Sequence, residues 1–159
     1  MLKKIPLCIM IMSSIVLCII MVPRPMRAEI NATSTVSAKG KCLEFMMGTE
    51  KYGCDTVIYA HFANGRTSFS TPIPSGAISL SGGHDEQKKA TDYLLQIDTL
   101  RIGHGSGKSD AINASGTCHM NITPKGDYVR YLKCDVDANG KKIIVDFQGG
   151  ETPVEILAH

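Results

Sequence analysis

Tryptophan is absent from this 159-residue chain, and aromatic residues make up only 6% of it. Helical periodicity is nearly absent too. No H-x-H or H-E-x-x-H spacing occurs, so no pair of histidines is preset to share a metal ion. No Gly-x-Ser-x-Gly elbow presents a serine nucleophile. An excess of positive charge is also missing from the body of the chain. Four of the 17 basic residues (Lys3, Lys4, Arg24 and Arg27) lie in the first 28 positions, which hold no acid, leaving 13 basic against 15 acidic residues. A mildly acidic body argues against nucleic acid or an anionic membrane as the main partner.

What is present begins with a leader pattern. Lys3 and Lys4 precede an apolar run from Ile5 to Val22, followed by Pro23-Arg24-Pro25-Met26-Arg27-Ala28. A basic start before an apolar stretch is the pattern of a secretory signal, with Ala28 as the expected cleavage residue. The run is 18 residues long, so retention as an N-terminal anchor is the alternative. Cys18 is not a lipidation site, because Leu17 stands where a small residue is required. The expected organisation is a signal peptide or anchor over 1–28, a small polar lead-in over 29–40, and a single domain over 41–159. The expected location is periplasmic or secreted, with the membrane touched only through an uncleaved leader.

Cysteine usage agrees with export. Outside the leader stand Cys42, Cys54, Cys118 and Cys134, an even set that reads as a disulfide framework. Three connectivities are open. Proximity in the chain points to Cys42–Cys54 and Cys118–Cys134. A zinc site is the rival, but it would need the close C-x2-C pairs that these spacings lack.

Short runs of β-branched and aromatic residues dominate the body, punctuated by Gly, Asn and Pro. They predict strands at Lys41–Met46, Asp55–Phe62, Arg66–Thr71, Gly76–Ser81, Thr91–Gly103, Gly116–Ile122, Tyr128–Cys134 and Lys141–Phe147. In the last of these, Ile143, Val145 and Phe147 share one face. In the fifth, the apolar phase changes between Ile97 and Leu100, which calls for a bulge near Asp98–Thr99. Asn64-Gly65 and Asn139-Gly140 each predict a type I′ hairpin turn, and Thr123-Pro124-Lys125-Gly126 predicts a further turn. Only Asp85–Ala90 could form a helical turn. The fold class expected is all-β, a small antiparallel sandwich or barrel of about eight strands. The order Gly-x-Cys, Cys-Asp, Ala-Asn-Gly-basic occurs twice, from Gly40 and again from Gly116, so two similar disulfide-pinned halves are an option.

Candidate functional residues are few. Ile102–Ser109 ends in Gly-Lys-Ser, but Ile102 occupies the position where a phosphate-binding loop needs its first glycine. A glycine-rich loop is the better reading. His61 and His119 fall inside strands, where a half-buried histidine is ordinary. His84, Asp85 and His104 lie in glycine-rich surroundings and are the candidate binding-loop residues. No cofactor, no metal and no catalytic set is expected. Asn31, Asn113 and Asn121 open glycosylation sequons, which matter only in a host that glycosylates its exports.

Several segments together resemble small exported proteins of Gram-negative bacteria that carry no assigned activity. These are Tyr52-Gly53-Cys54-Asp55, His61-Phe62-Ala63-Asn64-Gly65-Arg66-Thr67, Leu80-Ser81-Gly82-Gly83-His84-Asp85 and Gly116-Thr117-Cys118. Tyr52-Gly53-Cys54-Asp55 followed by an alternating strand is also similar to the opening of the periplasmic C-type lysozyme inhibitors. That resemblance implies a disulfide-bonded β-barrel. The inhibitors' Ser- and Lys-bearing loop has no counterpart here, so no inhibitory residue is carried over. The functional expectation is a non-catalytic module that binds a protein or small ligand in the envelope. Alternatives are an inhibitor of a cell-wall hydrolase and an enzyme with a loop-borne site.

Overall fold

A computed structural model describes residues 32–105 and 107–157, and the leader expected over 1–28 lies outside them. Eleven strands follow one another: β1 (Ala32–Met47), β2 (Glu50–Lys51), β3 (Thr56–Phe62), β4 (Thr67–Ile73), β5 (Gly76–Gly82), β6 (His84–Lys89), β7 (Asp92–His104), β8 (Lys108–Ile122), β9 (Val129–Ala138), β10 (Lys141–Gly149) and β11 (Glu155–Leu157). Eight of them pair in the order β1-β3-β4-β5-β7-β8-β9-β10, and β10 returns to pair with β1. Every pairing is antiparallel, and the β10–β1 pairing closes the sheet into a barrel. β2 folds back on the end of β1, β11 lies along the first half of β1, and β6 runs along the first half of β7.

Closure turns the period-2 alternation of each strand into an inside and an outside. Leu95, Cys118, Cys134, Val145 and Phe45 stand opposite one another across five consecutive strands, and all are buried. The next row holds Tyr93, Met120, Leu132 and Phe147. Ile143, Val145 and Phe147 all face inward, as their alternation predicts. Burying a side chain of this size stabilises the fold by about 1.5–3 kcal/mol. The register of β7 against β8 slips between Ile97 and Thr99, so the bulge falls where the apolar phase changes. It turns Leu100 back into the core behind Tyr93, Leu95 and Ile97.

Both disulfides form between the neighbours in sequence, Cys42–Cys54 and Cys118–Cys134. The second joins directly opposed residues of β8 and β9 inside the barrel. The first ties a bulge in β1 to the segment before β3, where Cys42 N–H also donates to the Cys54 carbonyl at 2.8 Å. Two disulfides fit an oxidising, extracytoplasmic compartment.

The structure departs from the sequence reading in three places. Residues 32–40, read as part of a flexible lead-in, are the first half of β1. Their small residues pair with β3 on one edge and β11 on the other, and Ala38 is buried. Asp85–Ala90 is not helical: it supplies most of β6, because β7 outruns β5 and leaves an edge that the following chain pairs. The residues of β6 are all exposed and mostly charged, which blunts that free edge against further pairing. Asn139 (φ 52°) and Gly140 (φ 76°) form the type I′ turn, but at the other hairpin only Gly65 (φ 77°) is left-handed. There Asn64 Oδ1 accepts from Arg66 N–H at 3.1 Å, and Gly65 N–H donates to the Phe62 carbonyl. The result is a three-residue loop built on an ordinary turn with glycine in the left-handed position. The repeated sequence order falls on β1-β3-β4 and β8-β9-β10, two stretches of the one barrel, with different turns.

Candidate functional site

One mouth of the barrel is formed by the start of β1, the end of β3 and β8, and the starts of β7 and β9. Alternation places Val36, Tyr59, Tyr93, Met120 and Leu132 on its inner wall, and Gly126 and Val154 approach from the loops that follow β8 and β10. The loop after β8 is held by the Thr123–Gly126 turn and by Thr123 N–H donating to the Tyr128 carbonyl at 2.9 Å. Val154 N–H donates to the Asp127 carbonyl at 2.8 Å. These contacts hold two loops over the mouth and leave a cavity of about 240 Å³. Its wall is apolar except for Gln87 and the two phenols.

The aromatic side of the cavity is built as a cluster. Tyr59 and Tyr93 meet edge to face with centroids 5.9 Å apart, and Phe69 meets Tyr93 at 6.2 Å. Tyr93 Oη donates to Thr67 Oγ1 at 3.1 Å, and Thr67 Oγ1 also meets His61 Nδ1 at 3.2 Å. Thr67 is buried, so this chain of contacts satisfies a hydroxyl that would otherwise be costly in the interior. Among the described residues no fully buried side-chain N or O lacks a partner.

Burial pushes the Tyr93 phenol far above the ordinary tyrosine value; the Thr67 contact opposes the shift and the Asp85 carboxylate adds to it. The phenol therefore stays protonated at any physiological pH. Asp85 reaches this position because β6 pairs it with Leu95. Directly opposed residues share a face, and Leu95 faces inward.

The three loop candidates do not form one cluster. His84 and Asp85 lie on β6, where His84 pairs with Gln96. His104 is at the other end of β7, eight residues further on, or roughly 26 Å along an extended strand. It meets Asp110 across the β7–β8 hairpin, Nε2 to Oδ2 at 3.1 Å. None of the three lines the cavity. His61, read as an ordinary strand histidine, is half-buried beside Thr67. His119 faces Asp92 at 3.6 Å and packs edge-on against Tyr131. Among the described residues no group of three His, Cys, Asp or Glu is placed to hold a metal. The wall residues Tyr59, Tyr93, Met120 and Gln87 carry no distinguishing motif. Strand alternation puts Tyr59, Tyr93 and Met120 on the inward face, Gln87 on the exposed strand β6 follows no such alternation, and only closure decides which residues surround a space.

No protein-family model, no curated protein and no solved structure matches the chain.

Proposed function

We propose that the chain is an exported, non-catalytic binding module of the bacterial envelope that takes a small, largely apolar ligand in the mouth of its barrel. The observation that supports this reading is the cavity of about 240 Å³ walled by Tyr59, Tyr93, Met120 and Leu132. Eight-stranded barrels are just wide enough to be filled by side chains or to hold one small molecule. A preformed apolar pocket with a few polar groups at its rim is the usual form of such a site. The leader pattern and the two disulfides support the periplasm or the exterior as its place of work.

Native mass spectrometry of the protein purified from its host's envelope fraction tests the reading. A retained small mass is the expected result. A bare protein whose Met120 methyl resonance is also unmoved by single-ring aromatic probes would count against it.

A second reading, inhibition of a cell-wall hydrolase, is supported by the likeness of Tyr52-Gly53-Cys54-Asp55 to the lysozyme inhibitors, with Cys54 bonded to Cys42 beside the barrel wall. A dose-dependent loss of lysozyme activity is its test, and a flat dose response would dispose of it.

A further inference from the structure

Among the described residues, no acid, base or histidine lines the cavity at the barrel mouth. The strands that build it carry charges, but alternation turns these outward. Asp92, next to Tyr93, faces His119 at 3.6 Å, and Lys133, next to Leu132, pairs with Asp146 at 3.3 Å. Lys39, next to Ala38, donates to Thr56 Oγ1 at 3.1 Å. Asp85, on the exposed strand β6, is not part of the lining. The polar groups that do reach the wall are neutral, and they include donors as well as acceptors. Tyr93 spends its one proton on Thr67 Oγ1 at 3.1 Å and keeps only lone pairs. Gln87 spends one N–H on the Ala90 carbonyl at 3.2 Å and keeps a second N–H and its Oε1. Tyr59 meets its neighbours through its ring, edge to face with Tyr93 and tilted against Phe69, and its O–H is left to donate.

Resting on the small-ligand reading above, we propose that the ligand is uncharged, a single-ring or short-chain compound with one hydroxyl or carbonyl oxygen that accepts from the Tyr59 phenol. An ammonium or carboxylate drawn into the cavity would exchange water for a wall without counter-charge, a far larger loss than that of a neutral polar group. Gly126 and Val154, held over the mouth by their loops, narrow the opening through which water could follow a charged head inward. A neutral oxygen loses less on entry and regains a hydrogen bond from Tyr59. The size follows from the cavity of about 240 Å³. An apolar space of about 150 Å³ holds a benzene ring, so this larger one holds roughly nine or ten non-hydrogen atoms.

The test titrates 2-phenylethanol, 2-phenylethylamine, phenylacetate and ethylbenzene into the oxidised protein with methyl-labelled methionine, and follows Met120. The alcohol is expected to bind at least about tenfold more tightly than the amine or the carboxylate, a small part of the cost of burying an unpaired charge. Tyr59→Phe keeps the ring and removes the phenol O–H. It is expected to weaken the alcohol about fivefold, the margin of one neutral hydrogen bond, and to leave ethylbenzene unchanged. An amine or carboxylate that binds as tightly as the alcohol would overturn the uncharged-ligand proposal and leave the small-ligand reading standing. A Tyr59→Phe variant that weakens alcohol and ethylbenzene alike, or weakens neither, would overturn the pairing of the ligand oxygen with Tyr59. If no probe moves Met120, the small-ligand reading falls, and the uncharged-ligand proposal falls with it.

Discussion

The guanidinium of Arg66 forks across the carboxylate of Asp98, joining the β3–β4 turn to the bulge of β7. Thr99 Oγ1 donates to the same carboxylate at 2.6 Å, and the Gly83 backbone N–H supports it from the link between β5 and β6. Three neighbouring pieces of chain thus converge on the residue where the register slips.

That convergence has a pH signature. The Arg66 hydrogen bond holds the Asp98 carboxyl below its ordinary value of 3.8. A depressed acid contributes stability above its unfolded pKa and loses that contribution as pH falls through the folded value. Asp98→Asn is therefore expected to lower stability at pH 6 and to approach the parent at a pH below the depressed folded value. Side-chain exposures of 34% and 53% limit the effect to about 1 kcal/mol at most. Urea unfolding followed by far-UV circular dichroism, at both pH values, measures it.

The two disulfides are unequal in surroundings. Each closes a short loop, of separation 12 and 16, and loop closure alone predicts stabilisation on the order of 3 kcal/mol for each. Cys118 and Cys134 are also fully inside the barrel, whereas Cys42 and Cys54 are only partly buried. Replacing the inner pair by alanine removes buried sulfur from the middle layer and is expected to cost more than replacing the outer pair. Comparison of the two double variants by thermal unfolding, with intact mass confirming the remaining bond, gives the order.

Phe147 is fully buried, and Ile156 on β11 is 71% exposed. Phe147→Ala should destabilise by about 3–5 kcal/mol, and Ile156→Ala should change stability by less than about 0.5 kcal/mol. Similar losses for both would contradict the inside–outside assignment of the barrel.

Gly82 and Gly83 are adjacent and should respond in opposite ways. A methyl group at Gly82 would run into the backbone carbonyl of Gln96, while at Gly83 it would meet only Arg66 Nη1 at 3.7 Å. Gly82→Ala is expected to cost about 1–3 kcal/mol by forcing β5 away from β7. Gly83→Ala is expected to be tolerated, and paired denaturation curves separate the two.

Much of this arrangement is legible in local sequence. Alternation alone marks Ile143, Val145 and Phe147 as one face, because successive strand residues point in opposite directions whatever the neighbouring strand. The phase change around Asp98 marks the bulge for the same reason. Asn139-Gly140 specifies its own turn, since both residues accept positive φ. Asn64-Gly65 does not, because an identical dipeptide can open a two-residue or a three-residue loop. The surroundings choose, here with Arg66 N–H donating to Asn64 and the Arg66 side chain drawn to Asp98.

Local pattern is silent on edges and enclosed space. Asp85–Ala90 has the composition of a helical turn, and most of it becomes strand β6 because β7 presents an unpaired edge. Residues 32–40 look like a tail and become barrel wall because β3 and β11 flank them. Tyr59, Tyr93, Met120 and Gln87 are far apart in the chain. Each strand by itself determines which of its residues face inward. Whether those residues fill the barrel or leave a cavity at its mouth depends on how many strands close and with what stagger. Backbone hydrogen bonds between distant segments decide that, so the site belongs to the tertiary structure.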